Sequence, residues 1–164
     1  MKIKTWLPVL AFSLFAGLSM QAQIASATGM TTPDLLALAE TDNTMAQRML
    51  GKRYALGGED VAKDLEQAVF WYRKAAEKGN AEAQQYLGYA YGRGLGVAQD
   101  WVQAHMWFSL VLAPNKRITP QSKAQAEKSI KFAETNMTPA QIEEAQALAE
   151  EWLAKHKPPE QTAS

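Results

Sequence analysis

The sequence predicts an all-α fold, an α/α superhelix of helix-turn-helix units stacked side by side, on three observations. The first is self-similarity. Ala46-Gln47, Leu50-Gly51 and Tyr54 return as Ala83-Gln84, Leu87-Gly88 and Tyr91, each 37 positions later, and Asp64, Ala68 and Trp71-Tyr72 return as Asp100, Ala104 and Trp107-Phe108, each 36 later. The second is where the register slips. Gly57-Gly58-Glu59-Asp60-Val61 faces Gly94-Leu95-Gly96-Val97, and a length change confined to a glycine-rich turn leaves the helical faces on either side in phase. The third is capping chemistry at the unit boundaries, with Asp64, Asn80 and Asp100 each standing before a run of helix formers. Stacks of this kind mostly bind other macromolecules.

Residues 1–27 read as a signal peptide. Lys2 and Lys4 precede an apolar run from Trp6 to Met20, and Ala25-Ser26-Ala27 follows as a small-residue cleavage site. Pro8, Ser13, Gly17 and Ser19 interrupt the run, which falls short of the ~20 apolar residues a membrane span needs. No stable membrane insertion is expected after cleavage, and the protein is expected to be periplasmic or secreted. There is no cysteine, hence neither a lipid attachment point nor a disulfide. Loss of Lys2 and Lys4 leaves 15 basic against 17 acidic residues. That balance excludes the basic excess a nucleic-acid binder needs, and no polybasic segment is present to hold an anionic membrane.

Residues 28–43 form an N-terminal segment with a partial capping helix. Ala39-Glu40 lies 37 positions before Ala76-Glu77, so Pro33–Glu40 reads as the remnant of a preceding second helix. Asp42 stands where Gly79 stands one unit later, a change expected to alter that corner.

Residues 44–113 hold the two repeats. Gly79 can take the left-handed conformation that closes one helix while Asn80 opens the next, over Ala81–Arg93. Asp64 and Asp100 cap the second helix of each unit and favour the positive end of its dipole. Leu50-Gly51 and Leu87-Gly88 present a groove without a side chain, into which Trp71 and Trp107 are expected to pack, with Tyr54 and Tyr91 one turn along the same face. These residues read as scaffold.

Residues 114–156 form a C-terminal helical pair. Thr119-Pro120 and Thr138-Pro139 place a cap before a proline at the first helical position, and Gln141 completes a capping box with Thr138. Helices are predicted over about Pro120–Thr135 and Pro139–His156, the second with an apolar stripe of Ile142, Ala145, Ala149, Trp152 and Leu153. The pair is expected to cap the open end of the stack. The tail 157–164, with two prolines and small polar residues, is expected to be disordered.

The pattern Ala-Gln-x-x-Leu-Gly-x-x-Tyr, a Gly-x-Gly-Val turn, Asp, Ala-x-x-Trp-Tyr and Lys-Ala-Ala-Glu-x-Gly, at 46–79 and again at 83–108, resembles the Sel-like repeat. That family is similar to the tetratricopeptide repeat, with a longer turn between its helices. The first copy departs from the pattern in its turn, and the second in its ending, Leu110-Val111-Leu112-Ala113-Pro114. The resemblance implies a tetratricopeptide-like solenoid holding a protein or peptide partner, as an adaptor, an envelope regulator or an immunity-type binder. It also offers an alternative, an envelope hydrolase acting on peptidoglycan or β-lactams. The relatives assigned such activity staple each repeat with a disulfide, and this chain has no cysteine.

No catalytic residue, cofactor or metal site is assigned from the sequence. The histidines are His105 and His156; His105 aligns with Val69 and reads as a partly buried or rim residue. Glu143-Glu144 and Glu150-Glu151 are adjacent pairs whose side chains point about 100° apart on a helix, a solvated face and not a shared site. Gly92-Arg93-Gly94-Leu95-Gly96 follows a helix and lacks Gly-Lys-Ser/Thr, so it reads as a turn. What remains is the variable surface of the first helices. Arg48, Lys52 and Arg53 in one copy and Gln85, Tyr86, Tyr89 and Arg93 in the other are the candidate partner-binding residues, on the concave side by analogy with tetratricopeptide stacks.

Overall fold

Among the described residues, seven short polar side chains start the helices. Thr31, Asn43, Asp64, Asn80, Asp100, Thr119 and Thr138 each sit in extended backbone and accept a hydrogen bond from the amide three residues on, satisfying a donor the helix leaves open. The helices that follow are α1 (Thr32–Glu40), α2 (Thr44–Leu56), α3 (Leu65–Glu77), α4 (Ala81–Arg93), α5 (Trp101–Val111), α6 (Pro120–Glu134) and α7 (Pro139–Lys155). The structure, a computed structural model, describes residues 29–58, 60–114 and 116–156, and these contain no strand. The segment 1–27 expected to be a signal peptide, Glu59 of the first turn and the tail 157–164 lie outside the described residues. From Thr31 on the chain forms one unit, in which α1 to α5 pack in sequence order and α6 and α7 both pack on α5.

The repeated residues build repeated contacts. Gln47 and Gln84 are fully buried, and each Nε2 donates at 3.0 Å to the last-turn carbonyl of the preceding helix, Ala39 or Ala76. Buried amides bonded in this way lock one unit to the next, since an orphaned carbonyl there would cost about 1–3 kcal/mol. The turn is closed alike in both units. The Asp64 amide donates to the Tyr54 carbonyl at 2.8 Å and the Asp100 amide to the Tyr91 carbonyl at 3.0 Å, although the loops between differ by one residue.

Three expectations are corrected. A Cβ on Gly51 would lie 2.7 Å from the ring of Tyr72, and one on Gly88 would lie 2.5 Å from the ring of Phe108. The grooves therefore receive the second aromatic of each pair and not Trp71 or Trp107, because neighbouring helical side chains diverge by about 100°. Trp71 instead meets Phe70 edge-on at 5.0 Å and Trp107 faces Trp152 of α7 at 6.5 Å. Second, Asp42 leaves its corner unaltered. It takes φ 66°, and the bonds from Asp42 and Asn43 to Ala39 and Leu38 match those from Gly79 and Asn80 to Ala76 and Ala75. Third, His105 is 2% exposed and belongs to the interior.

His105 is covered because α5 is apolar nearly all round and is wrapped by α4, α6 and α7. Phe70 in α3 and Met106 in α5 occupy equivalent positions, and Phe70 is 48% exposed while Met106 is 6% exposed. The C-terminal pair thus covers on the second unit a face left open on the first. Ala145 and Ala149 of the predicted α7 stripe are buried, and Leu148 joins Trp152 and Leu153 against the core.

The two turns differ for local reasons. Gly96 takes φ 69°, and a Cβ there would stand 2.2 Å from the Leu65 carbonyl, so this turn lies directly on the start of α3. In the first turn Asp60 accepts from the Thr32 amide at 2.6 Å and from Arg53 Nη1 at 3.0 Å. The longer loop delivers a carboxylate to the N-terminus of the shortened α1.

Candidate partner-binding groove

The first helix of each unit sends its variable positions toward two apolar clefts that share Tyr89. The smaller, 150 Å³, is lined by Lys52 and Leu56 of α2, Tyr72 of α3, Tyr86 and Tyr89 of α4, and Leu95 of the second turn. The larger, 290 Å³, is lined by Tyr89 and Arg93 of α4, Trp101 of α5, and Lys128 and Phe132 of α6. Leu56, Tyr86, Leu95 and Phe132 are four of the five large hydrophobic side chains exposed among the described residues; the first three line the smaller cleft and Phe132 the larger, which makes these clefts the candidate interaction surface.

Each wall is fixed by packing. Tyr86 stacks on Tyr72 with ring centroids 4.9 Å apart, and burial pushes the Tyr72 phenol well above its usual range. Tyr89 lies edge-on to Phe108 at 5.2 Å and carries the Arg93 guanidinium over its ring at 5.7 Å. Its hydroxyl accepts from Gln125 Nε2 at 2.7 Å and from Ser129 Oγ at 3.2 Å, so α6 is tied to the floor of the groove. Phe132 meets Trp101 edge-on at 5.7 Å.

Of the seven residues expected at the groove, Lys52, Tyr86, Tyr89 and Arg93 line these clefts, and Gln85 adjoins them with its Nε2 3.5 Å from the Tyr89 hydroxyl. Arg48 and Arg53 do not. Arg48 pairs with Glu82 at 2.9 Å, and Arg53 is held by Asp60 and by Thr32 Oγ1 at 3.0 Å each. Sequence reasoning missed Leu56, Leu95 and Phe132. Leu56 ends α2 at one glycine turn and Leu95 lies within the other, and an exposed apolar residue at such a turn was the available signal.

A third cleft, of 680 Å³, opens between the ends of α3 and α7 and includes Lys78, Lys116, Trp152 and His156. Lys116 Nζ donates to Gln84 Oε1, and burial lowers its ammonium to about 8. The His156 ring stacks on Trp152 with centroids 3.9 Å apart.

One constellation was not legible in the sequence. His105 Nδ1 lies 3.3 Å from Ser109 Oγ, and His105 Nε2 lies 3.4 Å from Glu134 Oε1. The order hydroxyl, imidazole, carboxylate is that of an activated nucleophile. These three line none of the three clefts, and the serine and histidine are one turn apart on α5, an arrangement that ties α6 to α5. Among the described residues no group of three histidine, cysteine or acidic side chains is placed to hold a metal, and no helix is long and apolar enough to cross a membrane.

Over residues 44–80 and 81–110 the chain matches the Sel1 repeat family. It is 37% identical over 90 residues to chitin synthase regulatory factor 3 of Schizosaccharomyces pombe, which covers 54% of this chain and only 9% of that protein. Among solved structures, a protective antigen of uropathogenic Escherichia coli with an SLR fold superposes with a TM-score of 0.70 at 27% identity, over 82% of this chain and 29% of the other. A Sel1 repeat protein from Oxalobacter formigenes superposes with a TM-score of 0.51 at 35% identity, over 57% of this chain and 68% of the other.

Proposed function

The chain belongs to the Sel1 repeat family, and on that premise we propose that it is a non-catalytic protein-binding module of the bacterial envelope, holding a protein or peptide partner in the groove around Tyr89. Sel1 repeats are generally protein-interaction modules. The observation that carries the reading is the gathering of Leu56, Tyr86, Leu95 and Phe132 at two clefts joined by one tyrosine. A regulatory factor among the relatives supports a role as adaptor or regulator, and the immunity-type role stands beside it. The envelope location rests on Lys2, Lys4, the run Trp6–Met20 and Ala25-Ser26-Ala27.

The test places a photo-cross-linking residue at Tyr86 and, as control, at Phe70, which is exposed but lines neither groove cleft. A discrete protein adduct in intact cells from position 86 and not from position 70 is expected. Equal labelling from both sites overturns the groove assignment. Mass measurement of the mature chain tests export, with cleavage after Ala27 expected.

The alternative reading, the envelope hydrolase, would have to draw on three residues of which the histidine is buried and none lines a cleft. Ser109, His105 and Glu134 stand in nucleophile, base and carboxylate order. Turnover of peptidoglycan or a β-lactam by the purified chain, abolished alike by Ser109→Ala and His105→Ala, would establish that reading in place of the first.

A further inference from the structure

Among the described residues, the charged side chains that line the two groove clefts are Lys52 at the smaller and Arg93 and Lys128 at the larger, and none of those residues brings a carboxylate to either. This one-sided charge stands out in a chain with equal numbers of acidic and basic residues. The smaller cleft, at 150 Å³ and walled by Leu56, Leu95 and three tyrosines, has the size of an apolar cavity that admits a benzene-sized group, ~150 Å³. The larger, at 290 Å³ between Trp101, Phe132 and Tyr89, has room for an aromatic side chain. We infer that the groove takes one extended acidic segment of a partner, with a large apolar side chain entering each cleft on either side of Tyr89 and carboxylates facing Lys52, Arg93 and Lys128. The inference rests on the groove reading above and specifies its partner.

The physical grounds are separable. Apolar burial supplies affinity, since removal of a large apolar side chain from water is the main favourable contribution to association. The three cations supply selection, because complementary charge speeds encounter and like charge rejects the wrong segment. Tyr89 supplies rigidity. Its hydroxyl is held by Gln125 and Ser129 and its ring by Phe108, so the ridge between the clefts is preformed.

The experiment uses the purified chain and three sets of short fluorescein-labelled peptides. In the first, two phenylalanines at varied spacing are set among glutamates and serines; in the second lysine replaces glutamate; in the third alanine replaces phenylalanine. At least one acidic aromatic peptide is expected to bind about tenfold more tightly than its lysine and alanine counterparts, a difference of about 1.4 kcal/mol. Leu56→Ser and Phe132→Ser, both at exposed positions, are expected to weaken it about tenfold each. Arg93→Glu with Lys128→Glu is expected to reverse the preference for acidic over basic peptides.

Equal or tighter binding of the lysine set overturns the charge assignment, and equal binding of the alanine set overturns the apolar one. Absence of binding by every peptide, with the Tyr86 adduct still formed, overturns the linear segment and leaves the groove reading standing. Binding that Leu56→Ser and Phe132→Ser leave untouched overturns both. Concentration-dependent dimers in sedimentation, lost in Leu56→Ser, would make a second copy of this chain the occupant and overturn the proposal as well.

Discussion

The ring of Phe108 occupies the place that a side chain on Gly88 would need, with Phe108 Cε1 2.5 Å from where a Cβ would stand. Gly51 and Tyr72 repeat the relationship one unit earlier at 2.7 Å. The pairing explains why both units keep glycine in mid-helix, where it costs about 1 kcal/mol in helix propensity. Close approach of the first helix to an aromatic on the second compensates.

Gly88→Ala is therefore expected to destabilise the chain. The substitution gains up to ~1 kcal/mol of propensity, but forcing a methyl against a 3% exposed ring costs about 1–3 kcal/mol. The net effect should be a loss of up to about 2 kcal/mol in urea unfolding. Phe108→Leu in the same background should recover part of it. A Gly88→Ala chain as stable as the parent would show that the ring yields freely.

Much of this fold was legible because its signals are local. Asn80, Asp64, Asp100, Thr119 and Thr138 are caps whose chemistry acts within one turn, and the helices begin where they stand. What could not be read depended on where one helix meets another. Trp71 and Tyr72 are adjacent large aromatics, and only the rotation of α3 about its axis decides which faces Gly51. The groove was half legible for the same reason. Tyr86 and Arg93 lie on α4, whose inner face the repeat defines, whereas Phe132 comes from α6, outside any repeat, and reaches the cleft through the docking of α6 on α5.

Asp42 should tolerate glycine better than alanine. It holds φ 66°, a conformation that costs an ordinary L-residue ~1–2 kcal/mol and glycine almost nothing. Both changes remove the ion pair to Lys78, so their difference isolates the backbone. Asp42→Gly is expected to be about 1 kcal/mol more stable than Asp42→Ala in urea titrations. Equal stabilities would mean that the corner relaxes in the alanine variant.

Asp60 should govern the order of α1. Bonds from the Thr32 amide and hydroxyl, with Arg53 beside it, hold its carboxyl below the usual range. A depressed carboxylate contributes stability that is present above its unfolded pKa and fades as pH falls through the folded one. Asp60→Asn should speed hydrogen exchange at the amides of α1 at neutral pH while leaving α4 unchanged, and acid should do the same to the parent chain. Unchanged exchange in α1 would leave its order to the Thr31 and Asp34 capping box.

Alkaline pH should act on stability through a buried phenol and a half-buried amine, with opposite sign. Lys116 is lowered by burial from 10.5 to about 8, so its burden on the fold is full below about 8 and is relieved as pH rises toward 10.5, where the unfolded chain also sheds the proton. Tyr72 is raised by burial from 10.0. Above pH 10 the unfolded chain ionises this phenol while the folded one does not, and stability falls. Relative to Lys116→Met, the parent should gain stability between pH 8 and pH 10.5; relative to Tyr72→Phe, it should lose stability above pH 10. Urea midpoints for the three chains across this range test both signs. Lys116 lines an open cleft, so solvent screening should reduce its effect. Curves that run parallel for the parent and Lys116→Met would show that Lys116 keeps an ordinary ammonium, and with it that its contact with Gln84 does not desolvate the amine.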